Sequence, residues 1–207
     1  MKIKDTPENT LERLIIYLKV LEALEKKNIN FISSEDLAKN CGVNSAQLRK
    51  DLSFVGSLGT KGVGYSVKSL KFSLKNFLGR AQEWNLILGG LSPLGIFLLQ
   101  DKTLQKEGFY FLAAFDTKEE NIGKIYNGIV VYNLDQLPQV LGIIKVDIGV
   151  IAANEDPESF LQAFINQGIK AILNLSKIPL FVENPEIKIE NFSFCTVLTK
   201  LSYFLKS

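Results

Sequence analysis

The sequence predicts an α/β protein built in two parts, a helical head followed by a doubly wound parallel sheet. Three observations predict it. The first 80 residues place apolar side chains at helical spacing and then reach a glycine-rich turn signal, Gly59-Thr60-Lys61-Gly62-Val63-Gly64-Tyr65. From residue 86 onward the period changes to short apolar runs separated by helical stretches, the pattern of βαβ units with right-handed crossovers. The charge divides at the same place. Residues 1–80 hold 14 Lys+Arg against 8 Asp+Glu, and residues 81–207 hold 10 against 14, so +6 is followed by −4. With 207 residues and 46% hydrophobic content, the chain can bury a core in each part.

Thr6-Pro7-Glu8 opens the first helix, with a cap, a proline at the first position and an acid at the positive end. Leu11, Leu14, Ile15, Leu18 and Leu21 are its expected apolar stripe. Phe31-Ile32 is a short extended link. Ser33 with Asp36 starts a second helix carrying Leu37 and Ala38, and Gly42 ends it in a tight turn. Asn44 caps a third helix, with Gln47 completing a capping box. Leu48 and Leu52 face inward there, and Gln47, Arg49 and Lys50 point out. Val63, Tyr65 and Val67 alternate as one strand of a wing hairpin. A helix around Lys68–Leu78 closes the head, and Gly79 with the 80–83 segment marks the boundary. Helix, helix, turn, helix and wing make residues 1–80 a winged helix-turn-helix. Gln can read adenine, Arg can read guanine and Lys neutralises phosphate, so the basic half is a candidate surface for double-stranded DNA.

The second part begins with Leu86-Ile87-Leu88, a short buried strand. Further strands are expected at Phe111–Phe115, Ile129–Tyr132, Ile148–Ala152 and Ala171–Leu175. Asn133 caps a helix running through Leu137, Asp156-Pro157 opens another and Gly168 ends it. This is the order of a C-terminal Rossmann-like doubly wound parallel sheet, over residues 81–190. Residues 191–207 form a terminal helix with Phe194, Val197, Leu198, Leu201 and Leu205 on one face. That face either docks on its own sheet or forms a dimer interface.

Between the first strand and its helix lies Gly90-Leu91-Ser92-Pro93-Leu94-Gly95. A glycine-rich turn there lets backbone amides approach a pyrophosphate at a helix N-terminus. Gly90 and Gly95 hold the first and third glycine positions of GxGxxG. Asp116 ends the second strand, 21 residues after Gly95, where it can accept hydrogen bonds from an adenosine ribose. Its charge would repel a 2′-phosphate, so NAD(H) is preferred over NADP(H). The middle glycine is Ser92, whose Cβ occupies space a pyrophosphate uses, and Pro93 has no N–H to offer.

Catalysis is poorly supported, and the chain is expected not to be an enzyme. It has no histidine, which removes the commonest general acid–base, any His-based triad and most metal sites. Ser92 lacks the spacing of a nucleophile elbow. Cys41 and Cys195 have no CxxC partner, so neither a disulfide framework nor a zinc site is indicated. The start of the chain lacks an apolar signal-peptide core, and no apolar run is long enough for a membrane span. The protein is expected to be cytoplasmic, with free thiols.

Several motifs together resemble the redox-sensing transcriptional repressor family Rex. They are Ile32-Ser33-Ser34-Glu35-Asp36-Leu37-Ala38, Gly42-Val43, Ala46-Gln47-Leu48-Arg49-Lys50-Asp51-Leu52-Ser53 and Lys61-Gly62-Val63-Gly64-Tyr65. Ala113-Ala114-Phe115-Asp116, Ile122-Gly123, Gly168–Asn174 and Leu201-Ser202-Tyr203 continue the likeness along nearly the whole chain. The resemblance implies a homodimeric repressor on a palindromic, AT-rich operator, with an exchanged terminal helix. It implies that NADH closes the dimer and releases DNA, while NAD⁺ competes.

By position, it puts Ser45, Gln47, Arg49 and Lys50 on the major groove and its phosphates. Lys61, beside Gly62, would enter the minor groove, and Tyr65 would support the wing. Ala153 and Asn174 join the glycine-loop residues and Asp116 as cofactor-binding positions. Arg13 matches an arginine that senses closure across the dimer. The family's tyrosine and aspartate partners for closure align with Asp101 and Ser193, and its Val-Pro pair near the nicotinamide aligns with Ala153-Asn154. Two other readings stay open on sequence alone. One is a Rex-like DNA-binding protein with lost or altered dinucleotide sensing. The other is a small NAD-linked oxidoreductase or CoA-type binding domain with an appended helical head.

Overall fold

The computed structural model describes residues 6–56, 59 and 64–206. The chain divides into two compact units, Met1–Gln82 and Glu83–Ser207.

In the first unit, helix α1 (Glu8–Lys26) is followed by strand β1 (Phe31–Ile32), helices α2 (Ser34–Asn40) and α3 (Ser45–Ser53), strand β2 (Tyr65–Ser66) and helix α4 (Val67–Phe77). Pro7 stands at the cap position of α1 and not inside its first turn, and no side chain caps that end. The buried stripe of α1 is Thr10, Leu14, Tyr17, Leu18, Leu21 and Leu24. This corrects the expected stripe: Leu11 is only partly covered and Ile15 is exposed, because Tyr17 and Thr10 turn their polar tips to a buried carboxylate. Ser33 caps α2 by accepting from the amide of Asp36, and Asn44 caps α3 by accepting from the amide of Gln47. Gly42, at φ +70°, makes the turn between them.

Two residue pairs form the small antiparallel sheet, Ile32 with Tyr65 and Phe31 with Ser66. Val67 was expected to continue this strand. It instead starts α4 behind the cap Ser66 and is buried with Leu70 and Leu74 against α1. Leu48 and Leu52 of α3 join the same core.

The second unit holds strands β3 (Trp84–Gly89), β4 (Phe109–Asp116), β5 (Ile125–Tyr126), β6 (Ile129–Asn133), β7 (Ile148–Ile151), β8 (Ala171–Asn174) and β9 (Lys188–Asn191). Its helices are α5 (Pro93–Gln100), α6 (Lys102–Lys106), α7 (Leu137–Leu141), α8 (Pro157–Asn166) and α9 (Phe194–Phe204). The strands lie in the order β5-β6-β4-β3-β7-β8-β9, and all neighbours are parallel except the short β5–β6 hairpin. Counting the parallel strands along the chain gives 3-2-1-4-5-6, the order of dinucleotide-binding sheets, with its switch point between β3 and β7. One apolar core covers each face. Asn133 caps a 3₁₀ turn at Leu134–Gln136 through a full capping box, and α7 follows it.

Three elements were not foreseen: β5, α6 and β9. The sequence of β9, Lys-Ile-Glu-Asn, is that of a largely exposed edge strand with one partly covered apolar residue. None of the described residues of α9 is buried: Phe194, Leu198, Leu201, Tyr203, Phe204 and Leu205 are all more than half exposed. Among the described residues no helix is long and apolar enough to cross a membrane.

Candidate functional site

The head carries its candidate nucleic-acid surface on α3. The 3.6-residue period turns Leu48, Asp51 and Leu52 inward and leaves Arg49 and Lys50 exposed. The Arg49 guanidinium donates to Ser34 Oγ at 3.1 Å and pairs with Glu35 at 3.6 Å, both at the start of α2. Ser45 is partly covered in the first turn. Tyr65 is buried, and its ring lies so close to Gly59 that a Cβ there would meet Cε1 at 2.9 Å. Lys61, Gly62 and Val63 lie outside the described residues.

Gln47 departs from expectation in two ways. Its side chain does not reach back to the cap residue, so the capping box is not formed. Its Nε2 donates to Asp51 Oδ1 at 2.8 Å instead, and the residue is half-buried. Asp51 is the functional-looking group that motif reasoning missed. Its carboxylate is 1% exposed and sits among five donors. Arg13 grips it with two bonds, Nε to Oδ2 at 2.6 Å and an Nη to Oδ1 at 2.8 Å. The Tyr17 hydroxyl donates at 2.7 Å, and Thr10 Oγ1 lies at 3.5 Å.

Burial pushes the Asp51 pKa up, but bonds from Arg13, Tyr17 and Gln47 outweigh it and hold the carboxyl below its ordinary range. The same bond raises Arg13, and burial followed by the Asp51 bond raises Tyr17. Arg13, read as a sensor across a dimer, therefore has its partner inside its own head. The signal was present in the sequence, since Asp51 shares the inner face of α3 with Leu48 and Leu52.

The second unit carries a cleft where β3, β4 and β7 end, at the switch point of the sheet. It is lined by Gly90, Leu91 and Ser92, by 116–118 with Glu120 and Asn121, and by 153–155 with Phe160. Gly90 (φ +85°) lets the loop lie against the β7 end: a Cβ there would stand 2.3 Å from Ala153 Cα. Ala153 is buried beneath it.

The loop satisfies itself. Ser92 Oγ accepts from the amide of Gly95 at 3.2 Å and so caps α5. Pro93 has no N–H, which leaves Leu94 as the first-turn amide without a partner among the described residues. Asp116 is buried and accepts four hydrogen bonds. Leu91 N and Asn121 Nδ2 reach Oδ2 at 2.9 and 3.0 Å, and Thr117 N and Lys118 N reach Oδ1 at 2.7 and 3.0 Å. Those four bonds fill the lone-pair capacity of a carboxylate. Lys118 pairs at 3.0 Å with Glu155 across the cleft mouth.

Other expected positions have structural employment. Asn174 is buried, donating to Ile178 O and Asn191 Oδ1 and accepting from Ser176 N. Asp101 caps α6 by accepting from the amide of Thr103 at 2.8 Å. Ser193 precedes α9 without capping it. Cys41 and Cys195 are both free, and burial pushes the Cys41 thiol up to about 11. Among the described residues no cluster of His, Cys, Asp or Glu could hold a metal.

The residues present fit a dinucleotide, with two adjustments. The strand order, the left-handed Gly90, the acid ending β4 and the N-terminus of α5 meet at one cleft. Room for a pyrophosphate requires Ser92 to yield its cap, and a ribose hydroxyl requires one donor to leave Asp116. Asn121 Nδ2 is the side-chain donor that can turn away.

Comparison with known proteins gives one answer over the whole chain. A family model described as "Putative DNA-binding protein N-terminus" matches residues 5–53, and the CoA binding domain model matches residues 81–178. The redox-sensing transcriptional repressor Rex of Syntrophobacter fumaroxidans is 39% identical over 211 residues, covering 99% of this chain and 98% of its own. Rex of Thermus thermophilus is 38% identical over 198 residues, covering 95% and 92%. The crystal structure of RSP with β-NAD⁺ and operator DNA matches with a TM-score of 0.91 at 29% identity, covering 97% of this chain and 92% of that one. RSP with β-NADH matches with a TM-score of 0.85 at 28% identity. From identity at this level across both units, this chain belongs to the Rex family of redox-sensing transcriptional repressors.

Proposed function

We propose that the protein is a homodimeric transcriptional repressor that binds a palindromic AT-rich operator and whose DNA affinity responds to NADH against NAD⁺. The observation that carries this reading is one chain holding both a capped, cation-bearing recognition helix and a 3-2-1-4-5-6 sheet with a cleft at its switch point. RSP, so similar in fold, has been captured with operator DNA and with each form of the dinucleotide.

On DNA, Arg49 and Lys50 face the groove and its phosphates, and Ser45 and Gln47 approach from the N-terminal turn of α3. Arg49 exchanges its exposed partners Ser34 and Glu35 for a base or a phosphate. Lys61 and Gly62 supply the wing contact. In the cleft, Leu94 presents its amide to the pyrophosphate beside the close backbone of Gly90 and Leu91, Asp116 takes the ribose, and Ala153 floors the site. The bound nicotinamide supplies the redox signal through its two oxidation states. What the chain contributes is a difference in affinity: a dinucleotide form that prefers the dimer unable to dock two half-sites lowers the DNA-bound share.

The self-capped Ser92, the amide-free Pro93 and the saturated Asp116 favour a second reading, a Rex-type DNA-binding protein with altered sensing. Fluorescence anisotropy on an AT-rich palindrome, with no ligand, NAD⁺ or NADH, tests both. Specific binding released by NADH is the expected result. Specific binding indifferent to NADH supports the second reading, and no preference over a scrambled duplex overturns the repressor assignment.

A further inference from the structure

Asp51 is the most heavily bonded side chain among the described residues of the head. It lies one helical turn from Gln47, on the same face of α3. A carboxylate offers only acceptors. Gln47 can therefore meet Asp51 only through an N–H, and chemistry fixes which end of its amide turns inward. Oε1 is the end left without a partner among the described residues.

Asp51 cannot swing away to relax this choice. Its own oxygens are clamped by Arg13, Tyr17 and Thr10 from α1, and it is buried. An unrestrained glutamine loses rotamer freedom when a base fixes it, and here much of that freedom is already gone before DNA arrives.

We propose that Asp51 is a specificity-determining positioning residue, which holds the Gln47 amide so that its oxygen faces the major groove and accepts from an exocyclic amino group, N6 of adenine or N4 of cytosine. This rests on the DNA-binding reading of the head and goes further in naming the base chemistry. A freely turning glutamine would instead read adenine by two bonds, donating to N7 and accepting from N6. The tether uses one hydrogen of Nε2 and leaves the other, so a bond to N7 stays open while the oxygen is the end that Asp51 fixes toward the groove.

The test uses the full-length protein and a duplex selected from a random pool. Gln47→Ala identifies the base pair at which discrimination collapses. At that position, adenine is replaced by 7-deazaadenine, which lacks N7, or by purine, which lacks the amino group. If the base is cytosine, it is replaced by 2-pyrimidinone. Removal of the amino group is expected to weaken wild-type binding about tenfold, within the range of one good base contact. 7-Deazaadenine is expected to cost no more than removal of the amino group does, since the second Nε2 hydrogen can meet N7 but the tether fixes the oxygen.

Asp51→Asn can donate to Gln47 and so turn its amide around. It should shift the selected base toward guanine or thymine, which present acceptors at that edge. If this variant fails to melt cooperatively, the wild-type analogue series decides alone. A larger loss from 7-deazaadenine than from purine overturns the proposal, as does a Gln47→Ala protein with unchanged selectivity. Both leave the repressor reading standing. Absence of any selected duplex overturns that reading itself.

Discussion

Asp51 shows at the scale of one residue how a charge is kept where water is scarce. Arg13 meets it with a bidentate grip, and Tyr17 and Gln47 use its remaining lone pairs. Removing one partner of a buried pair leaves the other uncompensated. Arg13→Ala is expected to cost the head about 3 kcal/mol in a denaturant melt, the low end for a buried pair because the arginine keeps partial access to water. The pH dependence has a definite sign. Asp51 is held below its unfolded value, so its contribution is complete above that value and is lost as pH falls toward the folded one. Stability of the head should drop on acidification below about pH 4, the ordinary carboxylate range, and Asp51→Asn should flatten that drop.

Ser92 is the second telling residue. Ser92→Gly releases the Gly95 amide and removes the Cβ from the loop, so NADH should bind about tenfold more tightly, the worth of one charge-assisted hydrogen bond. Loss of the serine cap itself should cost a few tenths of a kcal/mol. A titration of nicotinamide fluorescence in which Ser92→Gly binds more weakly would show that the serine hydroxyl is a ligand and not an obstacle.

At the scale of elements, what holds the recognition helix in place is local. Asn44 satisfies an orphan amide of α3, and Gly42 makes the turn that sets α3 against α2. Asn44→Ala should destabilise the head by about 1 kcal/mol in thermal or urea unfolding. Caps of this kind were legible in the sequence: Ser33, Asn44, Asp156 and Asn133 were all expected at the positions where they accept from helix amides. Other features were not legible, for physical reasons. Tyr17 and Thr10 belong to the buried stripe of α1 only because Asp51, far along the chain, gives their hydroxyls a partner. Apolar periodicity counts such residues as outside. Gln47 followed the capping-box spacing, but the carboxylate one turn later competes better for its amide. Strand β9 alternates weakly because it is an exposed edge. Val67 has the β-branched side chain of a strand, yet Ser66 before it caps a helix.

At the scale of the molecule, the alternation of strands and helices was enough to imply the parallel sheet, and the glycine loop and Asp116, far apart in sequence, line one crevice. Spacing could not tell that the crevice bonds to itself, because those contacts join residues brought together only by the sheet. The apolar terminal helix was equally visible, and none of its described residues is buried within one chain. Leu198→Glu, which puts a charge in the middle of that face, should shift sedimentation from dimer to monomer and abolish high-affinity operator binding while leaving each unit folded by circular dichroism.

The hydrogen bonds already made at Asp116 and at Ser92 bear on how the cell's redox state would be reported. An arriving dinucleotide must trade bonds the resting protein already has for new ones, so each contact gains little and half-occupancy moves to higher concentration. On the dinucleotide-sensing reading, small swings in reduced cofactor would pass unanswered and only a severe excess would lift repression, the behaviour of an alarm more than of a gauge.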